Sequence, residues 1–195
     1  MTVNLRHISL FLLFFSSFQI AFSQTLSPVQ MKEDLQKAKI LLERYHPNPY
    51  AYTTKKSLEE KWKEAENQIA EDSLDMHAFY RIFAPIIATV QDGHTSTLIS
   101  PKIYGKKALQ LPFFIRSFNG KYYVNYSAAA DTTFRRGMEV VAIEGVSLDS
   151  LVRLNERVFG NDNGNPVANS YYAIGAFPSF YARNFGQKDS VTVTF

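Results

Sequence analysis

An α+β fold is predicted from three observations. Apolar residues recur at helical spacing from Ser27 to about Val90, the period shortens to two after Asp92-Gly93, and Asn119-Gly120 separates two apolar runs. A helical half therefore comes first and a β-rich half second. The chain has 195 residues, 46% of them hydrophobic and 20% charged, which is enough apolar material for one domain or two small ones. Cysteine is absent, which excludes disulfide scaffolds, thiolate metal sites and thiol nucleophiles. A net charge of +3, from 21 basic and 18 acidic residues, is too dilute for a nucleic-acid surface.

Residues 1–23 read as a secretory leader. Arg6 and His7 precede the apolar run Ile8 to Phe15, and Ala21-Phe22-Ser23 supplies small residues before a cleavage point at Gln24. The run is too short to cross a bilayer and is followed by Ser16, Ser17 and Gln19, so no membrane anchor is expected after cleavage. The mature chain is expected to be exported, periplasmic or extracellular.

The first mature helix starts where Ser27, Pro28 and Gln30 form an N-cap, a first-turn proline and a capping partner. Met31, Leu35, Ala38, Leu41, Leu42 and Tyr45 make its apolar stripe, and His46-Pro47-Asn48-Pro49 ends it. Ser57 with Glu60 suggests a second capping box ahead of Leu58, Trp62, Ala65 and Ile69. A third helix begins near Ser73 to Asp75 and carries Met76, Phe79, Tyr80, Phe83, Ile86, Ile87 and Val90, with a kink expected at Pro85.

Beyond Gly93, Thr95 to Ser100 reads as a strand. Leu109 to Arg116 and Lys121 to Tyr126 read as a hairpin across Asn119-Gly120. Glu139 to Ile143 is closed by Glu144-Gly145, a helix over Leu148 to Phe159 is started by Asp149 or Ser150, and Ser190 to Phe195 alternates like a strand. Tyr171, Tyr172, Phe177, Phe180 and Tyr181 fit core and cross-strand packing at strand spacing.

Three histidines remain after the leader. His46, at a helix end, and His77, among apolar helical neighbours, have no second ligand at metal spacing and read as structural. His94 follows Gly93, whose backbone tolerates unusual angles, and has the Asp92 carboxylate nearby. Spacing alone leaves two readings of it: a reactive side chain held out on a rigid support, or the first residue of a strand after an Asp-Gly turn. Asn161 to Asn165 offers alternating oxygen ligands, but position 172, where a calcium loop would need glutamate, holds Tyr172, so a surface turn is expected. No metal site and no cofactor are expected.

The order of features resembles the N-terminal part of the tail-specific (C-terminal-processing) serine peptidases, in their tricorn-like branch. The matching pieces are the leader, Tyr45-His46-Pro47, Phe79-Tyr80-Arg81, Asp92-Gly93-His94-Thr95, Leu111-Pro112-Phe113 and Arg136 to Val146. The last is similar to the core of a PDZ-like module, with Glu144 where asparagine is usual. The resemblance implies a leader over residues 1–23, a helical domain over 24–91, a handover carrying D-G-H-T over 92–107, a PDZ-like module over 108–168, and from 169 to 195 a return toward a catalytic core. It also implies that His94 is the catalytic general base. The family's nucleophilic serine sits in a glycine-rich stretch beyond the PDZ-like module, and Ser96, Ser100 and Ser170 do not match it. The chain is thus expected to be the N-terminal portion of a secreted serine peptidase, inactive alone, whose partners are peptide or unfolded-protein C-termini. The alternatives are an exported peptide-binding module without catalysis and a fragment whose last strand, Ser190 to Phe195, lacks a partner.

Overall fold

The computed structural model describes residues 25–69, 72–99, 110–129, 134–186 and 188–195. The predicted leader, Ser100 and the remainder of the predicted handover, 101–107, lie outside the described residues.

Helix α1 (Pro28–Tyr45) starts as its sequence predicts: the Ser27 hydroxyl accepts the Gln30 N–H while the Gln30 side chain accepts the Ser27 N–H. Its buried stripe is narrower than expected. Met31, Leu35 and Leu42 face inward, whereas Leu41 is 54% and Tyr45 68% exposed. Helix α2 (Lys55–Gln68) begins earlier than the Ser57–Glu60 pair suggests, because Thr54 accepts the Ser57 N–H and is the cap. Either start leaves Leu58, Trp62 and Ala65 inward, and the earlier one adds a hydrogen-bonded turn. Helix α3 (Met76–Ala88) is capped by Asp75 and continues through Pro85. The short strands β1 (Thr25–Leu26) and β2 (Leu74–Asp75) pair antiparallel and tie the entrances of α1 and α3 together. Leucines, Trp62, Phe79, Ile86 and Ile87 from these three helices, with Val90 just past α3, make a first core.

The hairpin is as predicted: β3 (Phe113–Phe118) and β4 (Lys121–Ser127) flank Asn119 and Gly120, both in the left-handed region at φ 50 and 72. Glu144 (φ 52) and Gly145 (φ 76) repeat that turn between β5 (Ala142–Ile143) and β6 (Val146–Ser147). Helix α4 (Leu148–Val158) is capped by Ser147 rather than Asp149 or Ser150, since the Ser147 hydroxyl accepts the Ser150 N–H. Strand β7 (Val193–Thr194) pairs antiparallel with β5, giving the order β6-β5-β7 and a partner for the last strand.

Three expectations differ from the structure. Thr95 to Ile99 is irregular and pairs with no strand among the described residues. The aromatic tail is helical, not extended: α5 (Pro166–Gly175) and α6 (Phe177–Phe185) carry Tyr171, Tyr172, Phe177, Phe180 and Tyr181. Asn165 caps α5 with Pro166 at its first position, the same signal that opened α1. Within the stretch read as β-rich, 108–168, α4 matches the helix expected over Leu148 to Phe159, whereas the start of α5 is unexpected. No described helix is long and apolar enough to cross a membrane.

A second core joins Phe113, Ile115, Val124, Val140, Ile143, Leu148, Leu151, Val152, Phe177 and Tyr181. Between the two lies a third cluster, where Tyr80 and Ala84 of α3 meet Ile99, Val158 and Phe180. Beside it the amide of Asn184 donates to Asn155 and to the Phe180 carbonyl, with both asparagines buried.

Phe177→Ala should lower stability by about 3–5 kcal/mol, as expected for deleting a fully buried ring. Trp62 is the sole tryptophan and sits in the other core, so its fluorescence reports whether the cores unfold together. In urea, the Trp62 midpoint should fall in step with the far-UV circular dichroism midpoint. A Trp62 transition left in place would show that the third cluster does not couple them.

Candidate functional site

Three chain segments meet beyond the C-terminal end of α3. The first is Asp92-Gly93-His94-Thr95, a tight turn in which the Thr95 N–H bonds the Asp92 carbonyl. The second is His46, the residue that ends α1. The third is the loop from Gly160 to Asn165, containing a single 3-10 turn at Asp162–Gly164.

The Asp92 carboxylate organises the turn. One oxygen accepts the His94 backbone N–H at 2.8 Å. The other accepts the Thr95 hydroxyl at 2.9 Å and the Nε2–H of His46 at 2.7 Å. The Nδ1 of His46 accepts the Asn48 N–H, so its proton resides on Nε2 and points at the carboxylate. His46 is therefore not simply a helix-end residue; it is the partner of Asp92 across 46 positions of sequence. The bond from the His94 N–H, reinforced by His46 and Thr95, holds the Asp92 carboxyl below its ordinary 3.8, at about 2, against an opposing push from burial.

The loop supports the turn from the other side. Asp162 accepts the Gly93 N–H at 2.8 Å, and the Asn163 N–H bonds the Gln91 carbonyl. Gly160 lies so close to Ala88 and Asp92 that an added Cβ would stand 3.4 Å from their backbone atoms. The buried Asn161 side chain holds the loop closed, accepting the Asn165 N–H and donating to the Asn165 carbonyl and the Asn169 side chain. Gly93 does not use the backbone freedom that its lack of a side chain permits; the left-handed residue is Gln91 (φ 56). Gly93 serves instead by leaving its N–H open to Asp162.

His94 itself projects into solvent, with a side chain 94% exposed and its Nδ1 3.6 Å from Asp92. Its backbone is anchored and its ring is free to turn, which suits a group meant to meet something else. No serine hydroxyl among the described residues is hydrogen-bonded to that ring. His77 is elsewhere, bonding the Arg183 carbonyl and joining α3 to α6. The functional signal that spacing missed was the connection of Tyr45-His46-Pro47 to the turn; only the fold brings residues that distant together.

Away from the turn, a concavity of about 490 Å³ opens between the start of β3, the end of α6 and β7. Leu111, Phe113, Phe134, Tyr181, Val191 and Phe195 give it apolar walls. At its rim Lys188 pairs with Glu144, whose other oxygen accepts the Thr192 N–H and which is held below the usual carboxylate range, chiefly by that bond.

Because Asp92 is held ionised in the folded chain, its contribution to stability is complete above the unfolded value of 3.8 and is lost as pH falls toward about 2. With the side chain 25% exposed, solvent screening leaves about 1 kcal/mol of this contribution. Asp92→Asn should therefore unfold more readily than the wild type at pH 7, and the gap should close toward pH 2, as followed by urea midpoints. A gap that is constant across that range would contradict the assignment.

No protein-family model and no curated protein matches the chain. Among solved structures it is similar to those of CPAF. Mature CPAF matches at 14% identity and TM-score 0.53, a serine-to-alanine variant at 14% and 0.54, and mature CPAF complexed with lactacystin at 15% and 0.55. Each match covers 85% of this chain but only 31% or 32% of the CPAF chain, so the sequence spans about a third of the proteins it resembles. At this identity what is shared is the fold.

Proposed function

We propose that this chain is the N-terminal portion of an exported serine peptidase related to the tail-specific proteases, and that His94 is its general base. One observation carries the reading: an anchored turn presents an exposed imidazole beside a carboxylate whose pKa its hydrogen bonds lower. The likeness in fold to CPAF, a serine protease, supports it.

In the proposed reaction, neutral His94 takes the proton of a serine hydroxyl as its oxygen attacks the scissile carbonyl, and the imidazolium then protonates the leaving amine. Water attacks the acyl-enzyme by the same route. Asp92 would stabilise the imidazolium electrostatically and resist protonation, while His46 and Thr95 keep its carboxylate from rotating away. Sequence beyond Phe195 would supply the serine. The leader would direct export, and the PDZ-like assignment would give the hairpin β3–β4, the β5–β6 turn and α4 the task of receiving peptide or unfolded-protein C-termini.

The test is the coding sequence that follows the Phe195 codon. It should encode a glycine-flanked serine in the same or an adjacent frame, and unrelated sequence there would remove the reading. In the extended protein, His94→Ala should lower kcat at least about 10³-fold with the fold intact by circular dichroism.

A second reading, peptide capture without catalysis, is favoured by the apolar cavity beside the edge strand β7. Short peptides ending in a free carboxylate should then bind the chain saturably; absence of binding at millimolar concentration would remove this alternative.

A further inference from the structure

We propose that Asp92, His94 and Asp162 form a binding site for a divalent transition-metal ion of the zinc type, and that occupancy silences His94 as a base. The second half of the statement rests on the peptidase reading; the first does not.

Each of the three residues offers one ligand atom, and these atoms lie within 4.8 Å of one another. A tetrahedral zinc ion with bonds of about 2.1 Å brings its ligand atoms to roughly 3.4 Å apart, so the widest separation in the trio must contract by up to about 1.4 Å. The exposed His94 ring can supply that movement by rotation about its side-chain bonds, without disturbing any core. The His94 Nδ1 already lies 3.6 Å from an Asp92 oxygen, so the separations left to close are those to Asp162, whose side chain is also exposed. Asp92 is oriented by His46, Thr95 and the His94 N–H, and Asp162 by the Gly93 N–H. Three bonds on Asp92 leave part of its lone-pair capacity open, and the second Asp162 oxygen is unused among the described hydrogen bonds. His46 would then serve as the outer partner that fixes a ligating carboxylate, an arrangement that raises affinity at metal sites.

The donor set also selects the ion. One imidazole nitrogen and two carboxylate oxygens suit zinc and its neighbours, with water completing the shell, whereas calcium needs six to eight oxygens. Two net negative charges close to a surface favour a dication over an anion or a neutral ligand. A metal on His94 occupies the lone pair that would otherwise accept the serine proton, so binding and base catalysis exclude each other.

Zinc chloride titrated into the purified chain by calorimetry should show saturable one-to-one binding with Kd below about 100 μM. The imidazole nitrogen resonances of His94 should move while those of His77 stay in place. Asp162→Asn, which keeps the acceptor for the Gly93 N–H, should weaken binding at least about tenfold, and His94→Ala should abolish it. Absence of saturation, an unchanged Kd in Asp162→Asn, or movement of His77 in place of His94 would overturn the site. The titration reads metal alone, so loss of the peptidase reading, seen as hydrolysis unaffected by His94→Ala, leaves it standing. A failed titration likewise leaves the peptidase reading intact.

Discussion

Helix α3 packs against neighbours on two faces, and the rest of the molecule is arranged by that fact. None of its 13 residues is exposed. Phe79, Ile86 and Ile87 face α1 and α2, while Tyr80 and Ala84 face α4 and α6. A helix with two apolar faces must have a layer on each, so a single element draws a three-helix core and a hairpin-based core together. His77 and Arg81 strengthen the second contact by bonding the carbonyls of Arg183 and Asn184 at the far end of α6.

The candidate site inherits its rigidity from that position. It sits just past the end of α3, where the backbone turns through Gln91 and the chain would otherwise be free. Four groups hold the turn: His46 from the end of α1 and Thr95 of the turn itself on the Asp92 carboxylate, and Asp162 and the Asn163 N–H of one loop on Gly93 and Gln91. A side chain exposed on such a support has a defined origin and an undefined direction. That combination lets one imidazole serve either as a base toward an incoming hydroxyl or as a ligand toward an ion, and the two uses compete for the same nitrogen.

Local chemistry was legible wherever it was sufficient. Ser27-Pro28 with Gln30 opened a helix, Asn119-Gly120 closed a hairpin, and Glu144-Gly145 ended a strand, because each depends on groups within about four residues. Legibility failed where two local solutions were nearly equal. Thr54 and Ser57 both cap, and Ser147 competes with Asp149 and Ser150 for the next helix; the choice between them is one turn of hydrogen bonds. It also failed for α5 and α6, whose aromatic-rich sequence suits a strand or a helix equally until packing against α3, α4 and the hairpin decides.

The sequence by itself determined the order of helical and extended halves, the turns, and His94 as the histidine set in a D-G-H-T turn. Tertiary structure alone decided that His46 is the partner of Asp92, that Asp162 supports Gly93 across 69 positions, and that the last strand finds β5. The physical reason is range. Caps and turns are satisfied by neighbours along the chain, whereas a buried carboxylate or an open strand edge takes its partner from whatever the hydrophobic cores bring within hydrogen-bonding distance.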